Sequence, residues 1–324
     1  MKIKPLLIIA GEPNSIFLEI FFKSCKKINI KKPILLIVSK NLLLSQMKKL
    51  NYNFKFNFLQ KDNFNISQIN NNRINIIDVD FSFKKPFDKI SKKSKKYINE
   101  CFDVGLKIIK EFNLKFLING PVSKKHFLEK KFQGVTEYLA KKTNKSGKET
   151  MLIYNEKLSV CPITTHDSLR NIFKKITKKK ITKKVLNINK FYKEILKKKA
   201  SFAVTGINPH CETKEKFNEE KKIIIPAIKF LKRIGLKIEG PFPADTIFLK
   251  QNLNKFDVIV GMYHDQVLTP IKTIYGFDAI NITLGLPFIR ISPDHGPNEK
   301  MLGKNISSPL SLIQTLNFVN KFDN

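Results

Sequence analysis

Tryptophan is absent from this 324-residue chain, and arginine occurs only at positions 73, 170, 233 and 290. Lys and Arg together number 60 and the formal net charge is +33, so the basic character is almost all lysine. A surface selected to grip phosphates would use the planar fork of arginine more freely. The runs KKITKKKITKK (174–184) and SKKSKK (91–96) fall on predicted helix faces without interleaved aromatics on which bases would stack. They read as solvated helix surface, which makes nucleic acid an unexpected partner, although such a field still favours a small anionic substrate. The abundance of Lys, Asn, Ile and Phe resembles A/T-rich coding more than selection for phosphate contacts.

Cysteine is also scarce. The four, at 25, 101, 161 and 211, form no Cys-x-x-Cys pair, which predicts a reduced, cytoplasmic protein. Long apolar runs are missing. The opening MKIKPLLIIAGEP breaks at Gly11 and Pro13, has no signal-peptidase site, and reads as a first strand, so no membrane partner is expected. Glycine-rich cradles are missing too. GEPNSIF, after that strand, has one glycine, and neither Gly-x-Gly-x-x-Gly nor a Walker loop appears, so no standard nucleotide cradle is visible.

What is present is regular alternation. The 42% hydrophobic content suits two modest α/β domains. Strand-like runs at 6–9, 33–38, 74–79, 114–118, 151–154, 158–161, 202–205, 236–239, 257–260, 279–284 and 288–291 alternate with amphipathic helical patterns. In the long helix near 90–112, Tyr97, Ile98, Cys101, Phe102, Leu106, Ile109 and Phe112 keep the rhythm of a buried stripe. A last helix spans about 309–322. The Asn-rich stretch 51–73 reads as an irregular excursion.

The chain has only five histidines, and three stand just past predicted strands: His166 in CPITTHDS, His210 in SFAVTGINPHCE and His264 in GMYHDQ. Open α/β sheets bind ligands at that edge. Taken alone, such a histidine reads more readily as a surface-turn residue. Three neutral imidazoles brought together would suit Zn²⁺ or a similar ion and leave a position for substrate. Their spacing resembles no zinc finger, so only a folded sheet would unite them.

The blocks GPFPADTIF (240–248), GMYHDQ (261–266) and NITLGLPFIRISPDHG (281–296) closely resemble the 4-hydroxythreonine-4-phosphate dehydrogenase family. GEPNSI, NGPVSK, GVTEYLA (134–140), TTH and GINPH resemble its other blocks in the same order. The resemblance implies an isocitrate/isopropylmalate dehydrogenase-like fold: two α/β domains, 1–128 plus 286–324 and 129–285, with a central cleft. It implies a homodimer with shared active sites. It also implies NAD- or NADP-dependent oxidation of 4-phosphohydroxy-L-threonine at C3, then decarboxylation to 3-amino-2-oxopropyl phosphate, in pyridoxal 5'-phosphate biosynthesis. One divalent ion per site (Zn, Mg or Co) is implied, with His166, His210 and His264 as ligands. Lys272, Asn281 and Arg290 match substrate contacts, as does Thr136 beside Val135. Lys272 could also move the hydroxyl proton, and Asp245 and Asp265 would orient ligands or accept protons near the metal. His295 and Gly296 lie in a loop that would border the cofactor.

Three positions depart from the family pattern. Val135 stands where the family has His before that Thr, and valine offers an anionic substrate no hydrogen bond. Asn14, Ser15 and Phe17 replace small residues after the first strand. Lys300, in PNEKMLG, replaces an Asp and would suit the extra phosphate of NADP. These departures leave room for a sibling activity on a phosphorylated four-carbon sugar acid, or for a diverged member of low activity.

Overall fold

The computed structural model describes residues 4–129, 131–276, 278–293 and 295–322. Two units make up the chain, Met1–Thr143 with Leu286–Asn324, and Asn144–Gly285. Unit 1 begins with β1 (Leu6–Ile9), α1 (Phe17–Lys27), β2 (Ile34–Val38) and α2 (Lys40–Lys49). It continues through β3 (Phe56–Leu59), β4 (Ile74–Asp78), α3 (Ser94–Phe112), β5 (Phe116–Asn119) and α4 (Val135–Lys142). Unit 2 contains β6 (Thr150–Tyr154), β7 (Ser159–Pro162), α5 (Leu169–Lys175), α6 (Lys178–Glu194), β8 (Ser201–Thr205) and α7 (Ile225–Arg233). It ends with β9 (Lys237–Phe242), α8 (Lys250–Leu253), β10 (Val258–Gly261), α9 (His264–Tyr275) and β11 (Ile280–Leu284). The chain then returns to unit 1 as β12 (Ile289–Ser292) and α10 (Leu310–Asn320).

In unit 1 the runs LLII of β1 and ILLIV of β2 are buried throughout, as strands covered on both faces must be. The strand order is β3-β4-β2-β1-β5-β12, and every pairing is parallel. Helix α3 buries Tyr97, Ile98, Cys101 and Phe102 as its periodicity predicts. Gly105 and Ile108 extend the buried stripe, while Leu106 and Phe112 are only half-buried. A glycine in mid-helix costs about 1 kcal/mol of propensity. Here it permits close packing, since a Cβ on Gly105 would lie 2.6 Å from Ile9 Cδ1.

Helix α4 joins the same core. The Tyr138 ring lies 5.3 Å from Phe102 and 5.1 Å from Phe127, centroid to centroid. The chain therefore crosses to unit 2 after Thr143, later than the 128/129 division expected from sequence. The stretch 51–73 is also more ordered than its composition suggests. Phe56–Leu59 forms an edge strand paired with β4, and Phe54, Phe56 and Phe58 are the period-two signal that the surrounding Asn and Lys obscure.

In unit 2 the order is β11-β6-β7-β10-β8-β9. β6 is antiparallel to both β11 and β7, meeting β7 at Ile153↔Val160, while β7, β10, β8 and β9 run parallel. Three adjacent strands, β7, β10 and β8, thus deliver their carboxyl ends to one edge. Among the described residues no helix is long and apolar enough to cross a membrane. All four cysteines are free thiols, and burial pushes Cys25 up to about 12 and Cys161 up to about 11. Such thiols stay protonated at neutral pH and act as small apolar residues.

Candidate active site

The histidines follow from that strand order. His166 lies four residues beyond Pro162, the last residue of β7, and His264 opens α9 three residues beyond Gly261, the last of β10. Gly261 pairs with Pro162 and Val260 with Val204, so β10 stands between the other two strands in register. The pairing continues past the strand ends, where Ile163 N donates to Gly261 O at 2.8 Å and Thr164 Oγ1 to Met262 O at 2.8 Å. The His166 and His264 rings consequently lie 6.1 Å apart, 36° from parallel. His264 Nδ1 is 2.6 Å from Asp265 Oδ1, an imidazole–carboxylate pair that leaves Nε2 as the outward nitrogen. His210 sits in the short turn Pro209–Cys211 after β8. Among the described residues no three His, Cys, Asp or Glu side chains are set closely enough to hold a metal ion. The structure pairs His166 with His264 and places His210 on the adjoining loop.

Two polar side chains fix these loops, Gln266 half-buried and Glu220 buried. Gln266 Nε2 donates to Gly206 O at 2.8 Å, and its Oε1 accepts from Met262 N at 2.7 Å and Thr205 Oγ1 at 2.8 Å, which ties β8 to β10. Glu220 Oε1 accepts from the backbone N–H groups of Ile207 and Asn208. His210 and Cys211 both have left-handed backbone, at φ 53° and 62°. Such strain costs on the order of 1–2 kcal/mol per non-glycine residue and persists only where neighbours enforce it. Neither Gln266 nor Glu220 was singled out from sequence. The only available hint was that a polar residue follows a strand where a loop must be held.

The other expected residues of unit 2 are spread more widely. Lys272 is exposed on α9, two turns along from His264. Asp245 is exposed in the turn after β9, where its charge reaches Cys211 beside His210. Asn281 lies within β11, in the pairing row Asn281↔Ile153↔Val160. Its Oδ1 is buried with no hydrogen-bond partner among the described residues. One basic run departs from the solvated reading. Lys184 is 7% exposed and donates to Pro162 O at 3.1 Å, capping the end of β7.

In unit 1 Arg290, on β12, is 6% exposed, and its Nε donates to Asn119 Oδ1 at 2.6 Å. Burial pushes the guanidinium down to about 10 while the charge of Glu137, in the first turn of α4, acts against it, so Arg290 stays cationic at neutral pH. Gly134 is the N-cap of α4; Val135 and Thr136 are its first residues, and Val135 packs against the aromatic core. His295 Nδ1 lies 2.9 Å from Gly296 O in the loop after β12, and Asp294 lies outside the described residues. His126 is half-buried, and its Nδ1 is enclosed without a hydrogen-bond partner among the described residues.

Glu12 is a charged group just beyond the carboxyl end of β1. It is 2% exposed and accepts from Ser94 Oγ at 3.0 Å. Burial raises its carboxyl from 4.5 to about 7, the bonds from Ser94 and Asn14 opposing and the charge of Glu299 adding. An unfolded Glu12 titrates near 4.5, so the penalty is absent below that pH and is complete above 7. Glu12→Gln is therefore expected to be neutral at pH 4 and stabilising by up to about 3 kcal/mol at pH 8. Urea unfolding at the two pH values measures it, and equal effects at both would refute the assignment.

Comparison with known proteins gives consistent relatives. The sequence profile described as "Pyridoxal phosphate biosynthetic protein PdxA" matches residues 29–319. A 4-hydroxythreonine-4-phosphate dehydrogenase of Sulfurihydrogenibium sp. (strain YO3AOP1) is 36% identical over 316 residues, covering 96% of each chain. A D-threonate 4-phosphate dehydrogenase of Pectobacterium atrosepticum is 37% identical over 166 residues, 51% of each chain. The crystal structure of 4-hydroxythreonine-4-phosphate dehydrogenase from Klebsiella pneumoniae superposes with a TM-score of 0.83 at 26% identity, covering 98% of this chain and 97% of that one.

Proposed function

The chain belongs to the PdxA family of pyridoxal phosphate biosynthetic proteins, and from that premise we propose a metal-dependent, NAD- or NADP-dependent dehydrogenase. Its substrate is 4-phosphohydroxy-L-threonine, oxidised at C3 and decarboxylated to 3-amino-2-oxopropyl phosphate. The observation that carries the reading is the delivery of His166, His264 and His210 by three adjacent parallel strands, with His264 already turned by Asp265. In donor chemistry three imidazoles suit a divalent ion of Zn, Mg or Co type, and imidazole nitrogen favours the first and last. Held by His166, His210 and His264, such an ion would polarise the reacting hydroxyl, and a nicotinamide would supply the hydride acceptor.

The chain's own residues do the remainder. Asp265 holds the His264 tautomer, so that Nε2 is the ligand nitrogen. Lys272 takes the hydroxyl proton or holds the phosphate, and Asp245 serves as a further proton acceptor. Arg290, kept charged and fixed by Asn119, offers its guanidinium to a carboxylate or phosphate. Thr136 and Asn281 add hydrogen bonds to substrate, and the His295–Gly296 loop borders the cofactor. The working form is a cytoplasmic homodimer with shared sites, which sedimentation at assay concentration checks. Formation of reduced nicotinamide from 4-phosphohydroxy-L-threonine, abolished by a chelator and restored by metal, is the expected result. Turnover that ignores the chelator would refute the metal's role.

A second reading rests on Val135 and on the D-threonate 4-phosphate relative: the substrate is a phosphorylated four-carbon sugar acid. Val135→His separates the two. A charge-assisted hydrogen bond contributes about 1.5–3 kcal/mol, so kcat/KM on 4-phosphohydroxy-L-threonine should rise at least about tenfold, mostly through KM. Lower activity on that substrate in a folded, metal-loaded variant, or a wild type that prefers D-threonate 4-phosphate, would favour the second reading.

A further inference from the structure

Glu220 is a buried carboxylate that the chemistry above leaves unused. It begins the π-turn Glu220–Ile224 leading into α7 and is 1% exposed. Its Oε1 accepts from the backbone N–H groups of Ile207 and Asn208 at 2.8 and 2.9 Å. Its Oε2 accepts from Asn208 Nδ2 at 2.9 Å, and Glu219 Oε2 accepts from the same amide at 3.1 Å. Burial pushes the Glu220 carboxyl up, but the bonds from Asn208 and Ile207 outweigh it and hold the group below its ordinary value. It is therefore an anion at neutral pH, bound to two successive N–H groups just before His210.

The segment it grips is the exit of β8. Gly206 N donates to Phe242 O at 2.9 Å, and the turn closes through Cys211 N to Asn208 O at 3.0 Å. Immediately beyond that grip, His210 and Cys211 adopt left-handed backbone. Gly206 marks how tightly the parts fit, since a Cβ there would lie 2.7 Å from Cys211 Sγ and 3.0 Å from Glu220 Oε1. Without the carboxylate, two backbone donors would lose their acceptor and the strained turn would relax into the extended conformations that non-glycine residues favour.

We propose that Glu220 is a positioning residue, fixing the turn that presents His210 as the third imidazole of the divalent-ion site. The proposal rests on the metal reading above. Two measurements on Glu220→Ala and Glu220→Gln test it: hydrogen exchange of the 206–212 segment in the metal-free protein, and calorimetric titration with Co²⁺. Wild type should show a protected segment and bind one Co²⁺ per chain. Glu220→Ala should exchange faster there and bind Co²⁺ about tenfold more weakly or worse. Glu220→Gln, which keeps an oxygen for the two N–H groups, should lose less, and it carries the test if the alanine variant does not fold. Adding Glu220→Ala to His210→Ala should weaken the residual Co²⁺ binding no further, because the imidazole it positions is already gone. Unchanged exchange in both variants would overturn the proposal, as would faster exchange with unchanged Co²⁺ affinity. Fast exchange in the variants of a wild type that binds no Co²⁺ would locate the failure in the metal reading, and the role of Glu220 toward an ion would fall with it.

Discussion

Replacing His264 by alanine is expected to empty the ion site and lower kcat/KM by about a thousandfold, the loss of several kcal/mol of charge stabilisation. His264 comes from the central strand of the three, has His166 on one side at 6.1 Å, and carries the Asp265 carboxylate on its Nδ1. His166→Ala and His210→Ala should each remove the ion as well, since two imidazoles leave the shell underfilled. Asp265→Asn should behave differently. It leaves all three imidazoles in place and disturbs only the orientation of one, so a loss of about ten- to a hundredfold is expected. Elemental analysis beside steady-state kinetics makes the distinction. Full metal content in the His264→Ala protein would refute the assignment of this ligand.

The second large effect is expected at Arg290. Its guanidinium is buried, donates to Asn119 at 2.6 Å and faces the charge of Glu137. Arg290→Ala removes the cation from both, so destabilisation of about 3–5 kcal/mol should accompany the loss of substrate binding. Adding Glu137→Gln to that variant should recover part of the stability, because it removes the half-buried charge left behind, yet restore no activity. Arg290→Lys keeps the charge but lacks the planar fork; it should be more stable than the alanine variant and still poor in kcat/KM. Urea unfolding of wild type, Arg290→Ala, Glu137→Gln and the double variant supplies the cycle. If Glu137→Gln is equally harmful with and without Arg290, the two charges do not interact.

Much of this was legible locally. Buried parallel strands announce themselves as short apolar runs that stop abruptly, and the points where LSVC, SFAVT and DVIV stop located His166, His210 and His264. The lone arginine of FIRIS stood out against a lysine-rich background for the same reason, that chemistry restricts the residue where composition does not. Local pattern misled where composition masked periodicity, as in the Asn- and Lys-rich stretch that holds β3, and at Lys184, where a cation in a basic run turned inward to a strand end.

By itself, then, the sequence determined the α/β class, the strand ends that carry imidazoles, and the family to which its motifs belong. Each is encoded within a few successive residues and survives without knowledge of what packs beside it. Only the tertiary structure decided that β10 lies between β7 and β8, which makes His264 the central ligand candidate, and that Asn119 and Glu137 attend Arg290. It alone showed that Glu220 and Gln266 hold the loops. Strand order and buried polar partners are settled by which distant segments exclude water from one another and satisfy one another's hydrogen bonds, and no local pattern records that pairing.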